Sequence, residues 1–336
     1  MTLTQVTDFI KNKWLLLLLL ILVIFLTIVV FGFRREKPEL TKLAVPQAEI
    51  KQAPNLVGAA GVLDLSFLQL PEIPKRLAIY QAARRGLPDA GALVIAQKFG
   101  ITVNPQVAND VELGKIYNFI QDSLSLSVSE EEINFSQPPT TTGSLPNVTT
   151  AAVVSEKFLR EKNLWAENLV FETNKITYSG ENQQPVEKEL AVFIKIPITF
   201  KVSGFSFVSQ NPKDPYSFIE IGRNSEVVRL RFRHPPQLTE VGVFQTKDEK
   251  TIFDELKQGK GKIVYANTEE EGGLTTEDLP LVQVRSAKIK NVSLAYYDPI
   301  PRSNQIVPVF VFEGDFVDIK GQVGVLTLYL PAIANQ

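Results

Sequence analysis

The chain has 336 residues, with 35 lysines and arginines against 37 aspartates and glutamates, one histidine (His234), no cysteine and one methionine. The lack of cysteine excludes disulfide frameworks, thiolate zinc sites, iron–sulfur clusters and cysteine nucleophiles. A formal net charge of −2 argues against a polybasic nucleic-acid binder, and the length suggests roughly two globular units.

Residues 14–33 read WLLLLLLILVIFLTIVVFGF, with no ionisable side chain. A helix of this length spans about 30 Å, the hydrocarbon thickness of a bilayer. A cleaved signal peptide has a shorter apolar region and a small-residue cleavage site, whereas Arg34, Arg35, Glu36 and Lys37 follow here directly. The expectation is a transmembrane helix over 14–33 behind an N-terminal tail of residues 1–13, with the lipid bilayer as a first partner. Orientation is contested within the sequence. A positive-inside count over Lys11 and Lys13 against Arg34, Arg35, Lys37 and Lys42 directs the large C-terminal part inward. The short tail and the β-rich remainder favour the outside, so a single-pass protein of the cell membrane with an extracytoplasmic C-terminal region is expected.

Residues 34–58 are rich in Pro, Lys, Glu, Gln and Ala and read as a stalk. A first module is expected over 59–137, a Pro/Thr-rich linker over 138–147, and a larger region of one or two modules over 148–336. An internal repeat supports this division: ALVIAQKF (92–99) matches AAVVSEKF (151–158), and LSVSEEEINFS (126–136) matches LVFETNKITYS (169–179). The first pair fits a helix and the second a hairpin, in the same order. The first helix follows Pro88 and Asp89 and stops at Gly100; the second begins at Thr149 or Thr150 as cap; a third covers 248–257. Residues 190–202 alternate apolar and polar, with Pro197 marking an edge or a bulge. Further strands are expected at 227–232, 262–266, 287–297, 307–313 and 322–330. The fold class read from these signals is α+β: a transmembrane helix followed by repeated helix-plus-antiparallel-sheet units, rich in strands.

KIKNVSLAYYDP (288–299), VPVFVFEGDF (307–316) and the closing LYLPAI (328–333) resemble the final strands of PepSY-like and YycI/YycH-type extracytoplasmic modules. Those families place one membrane helix before α+β units. The resemblance implies a non-enzymatic regulator of a membrane sensor kinase, and it carries over no functional residue.

Candidate sites are few. Arg229, Arg231 and Arg233 alternate along one strand, and Lys195 and Lys201 extend the stripe if the strands are neighbours. Such a face would bind phosphate-bearing envelope polymers, lipid headgroups or an acidic partner segment. The plainer reading is a solvated face paired with carboxylates such as Glu220 and Glu226. His234, at a strand end before Pro235 and Pro236, lacks the company a zinc site or a serine hydrolase needs. The groups Glu269, Glu270, Glu271 and Glu313, Asp315, Asp318 lack the spacing of a calcium loop. GKGK near Lys260 is not a nucleotide loop. Tyr296, Tyr297, Phe310, Phe312, Phe316 and Tyr329 suit a groove or, more simply, a core. No catalytic residue, metal, cofactor, nucleotide or nucleic acid is expected. The leading function is a membrane-anchored extracytoplasmic binding or regulatory protein, non-catalytic, engaging a protein or cell-envelope polymer. The alternatives are a cell-wall hydrolase using paired carboxylates and a structural component of an envelope assembly with an exposed edge strand.

Overall fold

A computed structural model describes residues 49–334 except 58–60, 67, 84–85, 112, 183, 269–280 and 301. The apolar run 14–33 lies outside the described residues, as do Glu269, Glu270 and Glu271. Among the described residues no helix is long and apolar enough to cross a membrane. In chain order the elements begin with β1 (Val62–Asp64), β2 (Arg76–Ala83), α1 (Asp89–Lys98), β3 (Gln106–Asp110), β4 (Gly114–Gln121), β5 (Leu124–Val128) and β6 (Glu132–Ser136). Then come α2 (Val148–Glu161), β7 (Leu169–Phe171), β8 (Thr177–Ser179), β9 (Phe193–Val202), β10 (Phe205–Val208), β11 (Ser217–Ile221), β12 (Val227–Arg233) and β13 (Gln237–Gln245). The chain closes with α3 (Glu249–Lys257), β14 (Lys262–Thr268), β15 (Val284–Tyr297), β16 (Gln305–Asp318) and β17 (Val323–Pro331).

This corrects the expected fold class. The described chain is dominated by strands joined in one mixed hydrogen-bonded network, with three α-helices, in place of repeated helix-plus-antiparallel-sheet units. The reason is long-range pairing. β3, β4, β5 and β6 form consecutive antiparallel hairpins, and the outer edge of β6 is completed by β12, with Ser136 opposite Arg229. β12 pairs with β11, and β11 with β9. Both sides of residues 137–147 therefore contribute strands to one sheet.

The repeated segments meet inside this sheet's core. Phe99 follows α1 and Phe158 lies in α2; their rings are 6.0 Å apart and both pack on Phe135. Lys162, at the end of α2, donates to the carbonyl of Lys98 at 2.8 Å, so the two helices share one sheet face. The second matched pair diverges. Residues 126–136 form the β5–β6 hairpin, but β7 and β8 do not pair with each other; both lie on the same edge of β9. Pro197 accounts for the break. Its carbonyl accepts from Glu172 N, and a strand residue directs its N–H and C=O to the same edge. The missing N–H of Pro197 thus falls where the chain leaves β7 and loops out before β8.

Local signals explain the helix ends. Gly100 takes φ +82° beyond α1, a left-handed conformation that glycine adopts without a Cβ penalty. The cap of α2 is Asn147, not Thr149 or Thr150: its side chain accepts from Thr150 N. Asp248 caps α3 through Thr251 N at 2.8 Å.

Two buried clusters result. One gathers residues of β14, β15, β16 and β17 with Ile252 and Leu256 of α3. The other lies between the β4–β12 strands and the two longer helices. β10 joins them, pairing antiparallel with β9 and parallel with β15. β2 does so as well, pairing with β13 and with Gln305 and Ile306 of β16.

Candidate binding cleft

Where β9 and β15 diverge from β10, a cleft of about 610 Å³ opens. One wall carries Glu172, Lys175, Thr177, Lys195 and Pro197, the other Ser293, Leu294, Ala295, Val311 and Glu313, and residues 206–209 and 211–216 complete it. The 209–216 segment, SQNPKDPY, is tied down from several sides. The Tyr329 hydroxyl donates to the Ser209 carbonyl at 3.0 Å. Asn211 Oδ1 accepts from Lys213 N at 3.1 Å. Asp214 accepts two hydrogen bonds from the Arg231 guanidinium, at 3.0 and 2.7 Å, the fork geometry that favours arginine over lysine. Prolines 212 and 215 restrict the backbone between these points.

The wall formed by β8 and β9 continues the solvent face of the sheet, where the sequence stripe falls. Register places Arg229, Glu220, Lys195 and Thr177 side by side on four strands. Glu220 is buried between Arg229 at 3.6 Å and Lys195 at 3.4 Å. Arg231 lies in the adjacent row, opposite Phe218 and near Glu132 at 3.8 Å. Lys195 and Arg231 both stand over the Phe218 ring, at 4.5 and 5.7 Å. The structure thus assembles Lys195, Arg229 and Arg231 and faces them with Glu220, Asp214 and Glu132, so little net positive charge is left on the face. Lys201 is exposed near the far end of β9 and outside this cluster.

Arg233 departs most from its expected setting. It is 1 % exposed, covered by the connector between β15 and β16, where Asp298 and Pro299 accept from its guanidinium through their carbonyls, the first at 2.7 Å. Asp298 is fully buried. Its carboxylate receives the Tyr216 hydroxyl at 2.6 Å and Arg302 Nε at 3.2 Å, with Arg233 at 3.4 Å. Glu131, from the β5–β6 turn, is 3.7 Å from Arg302 and 3.9 Å from Arg233. Arg302 also donates to the His234 carbonyl at 2.7 Å. Two guanidiniums and two carboxylates balance in a buried cluster, which desolvation requires.

Ionisation follows this setting. Burial, then the charge of Asp298, raises the Tyr216 pKa well above the ordinary phenol range. Burial alone would lower that of Arg302, but Asp298 and Glu131 raise it. The Tyr216 ring lines the cleft while its hydroxyl belongs to the cluster, so the cluster fixes one end of the cleft-forming segment.

The sequence reading missed Glu131, Tyr216, Asp298 and Arg302. Two Asp-Pro steps beside tyrosines, at 214–216 and 297–299, are the available signal, since each aspartate binds an arginine of β12. The clustered aromatics Tyr296, Tyr297, Phe310, Phe312, Phe316 and Tyr329 are core residues. Asp318 accepts from Lys320 N and Gln322 N in the β16–β17 turn, and Asp315 pairs with Lys290. Among the described residues no group of acidic or histidine side chains is arranged to hold a metal.

No family model and no curated protein matches this chain. Among solved structures, an uncharacterized protein from Eubacterium rectale ATCC 33656 is 12% identical, with a TM-score of 0.48, covering 82% of this chain and 88% of that one. The C-terminal domain of Bacillus megaterium YpeB is 11% identical, with a TM-score of 0.29, covering 73% of this chain and 99% of that one. At these TM-scores neither likeness transfers a function.

Proposed function

We propose that this protein is a non-catalytic binding module of the cell envelope. Residues 14–33 hold it in the membrane, the described part stands outside the cytoplasm, and a protein partner binds in the β10 cleft. The observation that carries this reading is the cleft's preorganisation: the 209–216 segment is tied to β12, β17 and the buried cluster before any partner arrives, which lowers the ordering cost of binding. Of the three carboxylates that line the cleft, Glu172, Asp214 and Glu313, the first two are engaged structurally. Glu172 pairs with Lys175 at 2.9 Å and Asp214 with Arg231 at 2.7 Å, which supports binding over hydrolysis by a free acid pair.

The test uses a photo-crosslinking residue at position 213, inside the cleft, or at position 201, outside it, in the full chain in native membranes. A discrete envelope-protein adduct from position 213, absent from 201 and competed by untagged protein, is the expected result. Identical adducts from both positions, or none, would contradict the reading. Protease added to intact cells is expected to digest the region after residue 48; full protection would place it inside.

A further inference from the structure

The charges lining the cleft are three lysines and three carboxylates: Lys175, Lys195 and Lys213 against Glu172, Asp214 and Glu313. Glu172 pairs with Lys175, Asp214 with Arg231, and Lys195 with the buried Glu220. Lys213 and Glu313 remain. Both are exposed, and neither has an ion-pair partner among the described residues.

Register locates these two charges. Glu313 of β16 lies opposite Thr327 of β17, and Thr327 lies opposite Tyr265 of β14, so the three share one sheet face. At about 4.8 Å between strands, Tyr265 is about 10 Å from Glu313. The ammonium of Lys213 stands over the Tyr265 ring, 5.8 Å from its centre. Its backbone is held there, since Lys213 N donates to Asn211 Oδ1 and the next residue, Asp214, is fixed by Arg231. The two charges thus stand on one face at a separation on the order of 10 Å, comparable to the Debye length of about 8 Å at physiological salt. They neutralise each other little.

This arrangement selects among occupants. A polyanion, such as a phosphate polymer or a patch of acidic headgroups, would gain Lys213 but set like charge against Glu313. A polybasic segment would meet the converse. A segment with one charge of each sign satisfies both ends, and the wrong charge at either end is penalised.

We infer that the partner segment seated in the cleft is dipolar, with an acidic side chain at Lys213 and a basic one at Glu313, about 10 Å apart. The inference rests on the cleft reading above and adds the chemistry of the partner. A polyproline-type segment presents residues i and i+3 on one side about 9 Å apart, which matches this spacing.

The test is calorimetric titration of the full-length chain in detergent with the peptide acetyl-Ser-Glu-Pro-Pro-Lys-Ser-amide. Both orders of the two charges are measured, and the tighter is used. Replacing either charged residue of the peptide by glutamine is expected to weaken binding about three- to fivefold. Against Lys213→Gln the loss of the peptide's glutamate should cost nothing further, and against Glu313→Gln the loss of its lysine should cost nothing further. A peptide that binds equally well without one of its charges would overturn the dipolar assignment, as would tighter binding to Lys213→Gln or to Glu313→Gln. A photo-crosslinking residue at position 206, which lines the cleft and leaves Lys213 in place, separates this inference from the cleft reading. Its adduct in native membranes is expected to weaken in both glutamine variants. An adduct unchanged in both, or one that forms while no peptide binds, would overturn the dipolar segment and spare the cleft; no adduct at all would overturn both.

Discussion

Arg229 and Arg233 lie four residues apart on one strand, but they work under different physics. Arg229 is half-exposed, and its ion pair with Glu220 is 3.6 Å long and shared with Lys195. Water competes for the two cations, although Glu220 itself is buried, so this pairing is weaker than one sealed on both sides. Arg233 is sealed beneath the 298–302 connector with Asp298, Arg302, Glu131 and Tyr216. There each charge depends on the others, since any one left alone would stand desolvated. Equal spacing on a strand therefore does not make equal roles. The exposed row shapes a surface, while the buried cluster holds the β11–β12 strands against the β15–β16 connector.

This contrast orders the expected effects. Asp298→Asn, which leaves two buried guanidiniums against one carboxylate, is expected to cost about 3–5 kcal/mol in denaturant unfolding. A cost near that of a surface change would remove the distinction between the two regions. High pH gives the next effect. Burial is the main cause that pushes the Tyr297 phenol up to about 12, from an ordinary value near 10. A folded-state pKa raised above the unfolded one gives stability that is complete below pH 10 and lost as pH rises through about 12, worth roughly 2–3 kcal/mol. Stability measured across that window should fall, and Tyr297→Phe should flatten the fall.

Tyr216→Phe removes the hydroxyl from Asp298 and is expected to cost about 1–3 kcal/mol, with faster amide exchange in residues 209–216. The smallest effect belongs to the exposed row. Glu220→Gln, which frees two half-exposed cations to turn toward water, is expected to cost up to about 1 kcal/mol, and this cost should shrink further in high salt. A cost matching that of Asp298→Asn would show that the row is as desolvated as the cluster.

Much of the local structure was legible in the sequence. The alternation expected over 190–202 becomes β9, the strands at 227–232, 262–266, 287–297, 307–313 and 322–330 all appear, and Asp248 caps its helix. These features are local, set by period-two patterning and end chemistry. The pairing of β6 with β12 and of β10 with β15 was not legible, because neither partner's sequence encodes which distant edge will satisfy it. That gap turned a shared sheet into apparent repeats, although the matched Phe99 and Phe158 do occupy one core. The site was half legible for the same reason. Alternation placed Arg229, Arg231 and Arg233 on one strand, but the burial of Arg233 depends on a connector 65 residues away in sequence, which passes for a solvent loop when read by composition.

The central claim is that the buried cluster holds the cleft in shape. Hydrogen exchange across residues 209–216 in Asp298→Asn, compared with Glu220→Gln, tests it most directly. The account predicts that amides of this segment exchange at least about tenfold faster in Asp298→Asn and remain unchanged in Glu220→Gln. Equal protection in both variants would contradict it.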